Sequence, residues 1–175
     1  DMKYIPGVDM SSGSLGQGLS VAVGVAQAKK LANDNHLVYV LMGDGEQEEG
    51  QIWEAAMYAP AKNVDNIVAI VDYNKKQIDG PTDDVLSLGD LRAKYESFGW
   101  KVWECNGNDM QELVDTFNKI RENAHKGQSQ ILLAHTEMGM GVDFMMGTHK
   151  WHGVAPNDEQ AANALSQLKE TLGDY

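Results

Sequence analysis

Asp44 stands between two glycines in the run Met42-Gly43-Asp44-Gly45, and Asn74 follows it by thirty residues in Asp72-Tyr73-Asn74. A carboxylate oxygen and an amide oxygen are hard donors. They suit Mg²⁺ or Ca²⁺, which keep further positions for phosphate oxygens, carbonyls and water. A metal held this way would bridge the protein to a diphosphate. Taken singly, each residue is ordinary: a lone Gly-Asp-Gly is usually a turn, and Asn after a strand is common turn chemistry. The chemistry requires both at one rim, so the preceding elements decide it.

Both residues end apolar runs. His36 to Met42 is short, β-branched and aromatic, and reads as a buried strand that delivers Asp44 to its carboxyl end. Ile67 to Asp72 is a second buried strand that delivers Asn74. If the two strands are neighbours, Asp44 and Asn74 converge, and the flanking glycines let a ligand approach closely. The rest of the chain alternates in the same way. Helices are expected over Leu15 to Asn33, over Glu49 to Lys62 (disturbed near Pro60), over Leu88 to Phe98 with Gly99 closing it, and over Asp109 to His125 with Asp109 as cap. Trp100 to Cys105 and Gln130 to His135 complete four strands. A long glycine- and methionine-rich segment runs to Asn157, which caps a last helix. Short, wholly apolar strands alternating with helices predict an α/β fold, an open doubly wound parallel sheet. Ligands of such sheets lie outside the carboxyl ends of the strands.

Composition narrows the class. The chain has 175 residues and 42% hydrophobic residues, enough for one domain with a packed core. The net charge of −12 argues against nucleic acid. No run approaches the roughly 18 apolar residues of a membrane span, and no basic-then-apolar leader opens the sequence. The single cysteine, Cys105, excludes an intramolecular disulfide framework and reads as a core residue. These features suit a cytoplasmic protein. No phosphate-binding loop of the Gly-x-x-x-x-Gly-Lys-Ser/Thr type is present.

Four segments, in order, resemble the transketolase family. The Gly-Asp-Gly and the later Asn are similar to the thiamine diphosphate signature. Gly43-Asp44-Gly45-Glu46-Gln47-Glu48-Glu49-Gly50-Gln51-Ile52-Trp53-Glu54-Ala55 and Val71-Asp72-Tyr73-Asn74-Lys75-Lys76-Gln77-Ile78-Asp79-Gly80 look specifically like transketolase. Ser12-Gly13-Ser14-Leu15-Gly16-Gln17-Gly18-Leu19-Ser20 is similar to the family's glycine-rich loop opening a helix. His149-Lys150-Trp151-His152-Gly153-Val154-Ala155-Pro156 resembles its later histidine segment. Gly139 to Phe144 and Trp151-His152-Gly153 look more like the N-terminal subunit of split transketolases than like the fused enzyme.

The resemblance implies thiamine diphosphate bound through Mg²⁺, with Ca²⁺ or Mn²⁺ as substitutes, in a ketol transferase of sugar phosphates and the pentose phosphate pathway. Asp44 and Asn74 would be metal ligands, with the backbone carbonyl of Lys76 as a third. The family commonly has an apolar residue at that third position. The Gly45 N–H would meet a phosphate oxygen, helped by a modest helix dipole. Gly13, Ser14 and Leu15 would line the cofactor near its rings, and Leu15 and Ile78 would hold it bent. Core packing explains Leu15 and Ile78 equally well. His152 would touch diphosphate and substrate. Glu49, with Glu54 on the same helix, would couple at an interface between subunits to the partner's activating glutamate; a solvated helix face is the alternative. His135 suggests a weaker cofactor-side role, and His36 and His125 read as surface residues.

Family members carry further histidines upstream of the segment resembling Asp1 to Asp9, and take an activating glutamate from a second domain or subunit. The expectation is therefore one domain, residues 1–175, lacking the upstream part of the family domain. It would supply half of an active site, work only with a C-terminal partner and form homo-oligomers. Other thiamine diphosphate enzymes, such as deoxyxylulose-phosphate synthase or a 2-oxo acid dehydrogenase component, and a non-catalytic assembly remnant are the competing readings.

Overall fold

A computed structural model describes residues 2–169. Four parallel strands form the sheet: β1 (Val38–Gly43), β2 (Ile67–Tyr73), β5 (Lys101–Asn106) and β6 (Gln130–His135). Their spatial order is β1-β2-β6-β5. A two-residue pair, β3 (Lys76–Gln77) and β4 (Gly80–Pro81), forms a small antiparallel hairpin after β2. The helices are α1 (Gly18–Leu31), α2 (Gly50–Ala61), α3 (Thr82–Leu86), α4 (Leu91–Ser97), α5 (Met110–Glu122) and α6 (Asp158–Gln167).

The period-two alternation of the strands divides the core. Ile67, Ala69 and Val71 of β2 and Ile131 and Leu133 of β6 pack with residues of α1, α2 and α4. Val68, Leu132, Ala134 and Cys105 face the other way, against Ile120, Leu113 and Phe117 of α5. Helices therefore lie on both faces of a parallel sheet, as the apolar strands require. The cover is uneven. On β1 the second face is only partly covered: Tyr39 meets Phe117 of α5 edge-on at 6.3 Å but is 47% exposed, and Leu41 is 72% exposed. Cys105 is buried, and burial pushes its thiol pKa up. Among the described residues no helix is long and apolar enough to cross a membrane.

Several boundaries move for local reasons. α1 begins at Gly18 rather than Leu15, because Gly16 has φ +89° and cannot be helical. The helix expected from Leu88 begins at Leu91 instead, and the short α3 before it was not expected. Gly89 has φ +56°, and Asp90 then caps α4 by accepting from the Ala93 N–H at 2.9 Å. α5 stops at Glu122, short of His125, which sits at φ +58°. Pro60 lies inside α2 without ending it. A proline has no N–H to offer the carbonyl four residues back. That carbonyl, on Ala56, instead accepts the indole N–H of buried Trp100 at 2.7 Å. Gly99 at φ +97° closes α4, as expected, and Asp109 caps α5. Asn157 caps α6 in a reciprocal pair with Gln160.

Candidate cofactor and metal site

Neighbouring strands do bring the two motifs together. β1 and β2 pair in register, Met42 opposite Val71 and Gly43 opposite Asp72. Asp44 follows at once, opening a 3₁₀ turn over Gly45–Glu48. It is 2% exposed. Its carboxylate accepts from the Gly45 N–H at 2.7 Å and from the Lys75 N–H in the other loop. The two loops are thus joined directly through the carboxylate. Burial pushes the Asp44 pKa up, the Lys75 and Gly45 N–H bonds oppose that, and the charge of Asp72 adds to the rise. An ideal Cβ at Gly45 would lie 2.8 Å from Gln77 Cβ, so the hairpin closes over this loop only because residue 45 is glycine.

The Asn74 amide is held at both ends. Its nitrogen donates to Asp72 Oδ2 at 3.3 Å, and its oxygen accepts from the Lys76 N–H at 2.9 Å. Asp72 Oδ1 accepts from the Thr136 hydroxyl at the end of β6. The Lys76 ammonium turns to Glu137 Oε1 at 3.0 Å, which answers its charge. A buried carboxylate held by backbone N–H groups, with an amide oxygen in the next loop, is a hard donor set that fits a divalent cation.

Asp72, Asn74, Thr136, Trp151 and His152 line a cavity of about 630 Å³ at the carboxyl ends of β2 and β6. Its position agrees with the rule for doubly wound sheets, since the connections entering these two neighbours lie on opposite faces. His152 is exposed at its wall, and its N–H donates to the His149 carbonyl at 2.9 Å. Trp151 anchors the same loop through its indole N–H to the Phe144 carbonyl at 2.9 Å.

The glycine-rich loop lies apart. Ser14 and Leu15 line a second cavity of about 430 Å³ beside α1 and β1. Leu41 borders both cavities. Gly13 is exposed, with open space where a Cβ would stand. Leu15 is 62% and Ile78 64% exposed, which removes core packing within this chain as their explanation. Glu49 and Glu54 are both exposed on or beside α2. Glu49 also packs on Gly16, where an ideal Cβ would come within 2.9 Å of Glu49 Cβ. His135 bonds Glu104 at 2.7 Å and stacks on Tyr73 at 5.3 Å, on the sheet face away from the Asn74 cavity.

Sequence reading missed two organisers. Buried Glu46 accepts from the Gly16 N–H at 2.7 Å and the Gly43 N–H at 3.0 Å, clamping the glycine-rich loop to the Asp44 loop. Buried Gln47 donates to the Gly43 carbonyl at 3.0 Å and accepts from the Tyr95 hydroxyl at 2.6 Å. A run of four polar residues after glycine reads as surface, and no periodicity signals its burial.

The family model described as "Transketolase, thiamine diphosphate binding domain" matches residues 1–173. The chain belongs to the transketolase family. It is 44% identical to one of the subunits of apulose-4-phosphate transketolase from Phocaeicola vulgatus, over 96% of this chain and 59% of that protein. It is 38% identical to the 6-deoxy-6-sulfo-D-fructose transketolase subunit SqwG of a Clostridium species, over 97% of this chain and 61% of that one. The chain thus spans about three fifths of the length of the curated subunits it matches. Among solved structures, the transketolase of Campylobacter jejuni superposes with a TM-score of 0.84 at 30% identity, covering 92% of this chain and 26% of that one. This transketolase-family chain therefore has the thiamine-diphosphate-binding fold expected of it.

Proposed function

We propose that this chain is the diphosphate side of a transketolase. It would bind thiamine diphosphate through Mg²⁺ for transfer of a two-carbon ketol unit between sugar phosphates, together with a separate C-terminal partner. The observation that carries the reading is the junction of the two loops through buried Asp44. It sets a carboxylate and the Asn74 amide at one rim, beside a cavity that also holds His152. Relatives whose names make them single subunits of a transketolase support a partner supplied as a second chain.

In this reading Asp44, Asn74 and the Lys76 carbonyl hold the cation, and the Gly45 N–H, which donates to Asp44 Oδ1 here, would turn to a phosphate oxygen. The bound cofactor supplies the carbon nucleophile that cleaves and re-forms the ketol bond. Leu15 and Ile78, exposed here, give apolar surface to its rings. His152 donates to diphosphate or substrate and moves a proton at its imidazole. Glu49 and Glu54 face the partner. A single domain, cytoplasmic residence and homo-oligomer formation belong to the same reading.

Calorimetric titration of thiamine diphosphate with Mg²⁺ tests it. Saturable heat that EDTA and Asp44→Ala both abolish is the expected result. No heat, even after a transketolase C-terminal subunit is added, would favour a non-catalytic assembly role.

A further inference from the structure

The geometry points to Asp72, held by Thr136, as the positioning residue that fixes the Asn74 amide so that oxygen, not nitrogen, meets the cation. This rests on the metal reading of Asp44 and Asn74.

A carboxylate only accepts hydrogen bonds, and an amide has one accepting and one donating end. Asp72 Oδ2 takes the Asn74 nitrogen at 3.3 Å. The Asn74 oxygen must then point away from Asp72, where it accepts from the Lys76 N–H at 2.9 Å. Both bonds demand the same orientation. A flipped amide would set oxygen against carboxylate and N–H₂ against N–H. It would also turn towards the cation a nitrogen that has no free lone pair for a hard ion.

Asp72 is itself held. Its Oδ1 accepts from the Thr136 hydroxyl. β2 and β6 pair with Asp72 opposite Ala134 and Tyr73 opposite His135, so the ladder brings Thr136 alongside the loop after β2. The Thr136 methyl is wedged by the chain after β5: an ideal Cβ at Gly107 would stand 2.5 Å from Thr136 Cγ2. A β-branched side chain with its methyl confined has little χ1 freedom, so the hydroxyl stays aimed at Asp72. The line Gly107, Thr136, Asp72, Asn74 thus runs across the ends of three strands to one amide. Outer partners of this kind commonly change metal affinity by about 10–100-fold.

The test uses Mn²⁺ as probe, its free concentration read by electron paramagnetic resonance in the presence of thiamine diphosphate. The variants are Asp72→Leu, Thr136→Val and Thr136→Ser, with Asp44→Ala as control. Asp72→Leu and Thr136→Val are expected to weaken Mn²⁺ binding by about tenfold or more, and Thr136→Ser to keep most of the affinity. A metal-free readout accompanies this: solvent exchange of the Asn74 side-chain N–H₂ protons by NMR should quicken in the first two variants. A purely structural role would lower the unfolding midpoint without that change. If Asp72→Leu does not fold, Thr136→Val decides, since it keeps the wedge and removes only the hydroxyl. Wild-type binding with affinity within about twofold in the variants would overturn the proposal and leave the metal site standing. No Mn²⁺ binding by the wild type would overturn the metal site and the proposal with it.

Discussion

At the scale of the residue, Asp44 combines burial with charge. Its pKa is raised, first by burial and further by Asp72, against the bonds from Lys75 and Gly45. A carboxyl whose folded pKa is raised favours folding when protonated. The stability it contributes is fully present below the ordinary value of about 3.9 and is lost as pH rises through the raised value. Asp34 and Asp65 act in the opposite sense, because their pKa values are lowered. The Asp44 effect must therefore be read as a difference. As pH rises from about 4 through the raised value, the metal-free wild type should lose stability relative to Asp44→Ala. A bound cation requires the ionised form, so the midpoint gained from Mg²⁺ and thiamine diphosphate should grow over the same window and be absent in Asp44→Ala. Thermal unfolding of both proteins across that range measures this; a cation effect independent of pH would remove Asp44 from the ligand set. Asp44 and Asn74 were legible in the sequence because each directly ends an apolar strand. Glu46 was not, because its role is a clamp between loops thirty residues apart, visible only once Gly16 lies beside it.

At the scale of the element, the loop after β2 and the glycine-rich segment after β6 are tied by one side chain. Glu137 accepts from the Lys76 ammonium at 3.0 Å and from the Gly147 N–H at 2.8 Å, while its own N–H donates to Asn108. The Gly147 bond, then Lys76, lowers the Glu137 pKa. Glu137→Gln keeps an acceptor for Gly147 and removes the ion pair. It should cost only about 0.2–1 kcal/mol, since the pair is partly exposed. Glu137→Ala removes both bonds and should also quicken amide exchange from 139 to 147. Urea midpoints and hydrogen exchange separate the two; equal exchange in both variants would show that Gly147 does not depend on Glu137. The alternation of strands and helices was legible from hydrophobic period, and β6 matched to the residue. The segment from 136 to 157 was not, because its course is set by glycines at φ +75°, +92° and +74° (Gly139, Gly141 and Gly147) rather than by any period. The late start of α4 was hidden for a similar reason: apolar Leu88 continues the helical pattern while Gly89 breaks the backbone.

At the scale of the whole molecule, part of the exposed apolar surface borders the two cavities. Leu41 separates the cavity lined by Asn74 and His152 from the one lined by Ser14 and Leu15, and it is 72% exposed. Tyr39, Leu15 and Ile78 add apolar surface at 47%, 62% and 64% exposure. Apolar patches beside a polar site mark places where ligand or protein is received. The proposed cofactor rings would cover part of this surface, and the second subunit the rest. The prediction that belongs here is complementation. The chain alone should turn over no sugar phosphate, because its described residues place Glu49 and Glu54 at the surface, away from the cavity that holds His152. Mixed with a transketolase C-terminal subunit, thiamine diphosphate and Mg²⁺, it should produce ketol transfer that saturates with subunit concentration. Sedimentation should show a complex of the two chains. Leu41→Lys, which sets a charge on the exposed surface between the two cavities, should weaken the complex at saturating thiamine diphosphate and Mg²⁺ and raise the subunit concentration needed for half-maximal turnover. Turnover by the purified chain alone would end the half-site reading; a complex indifferent to Leu41→Lys would move the docking surface away from β1.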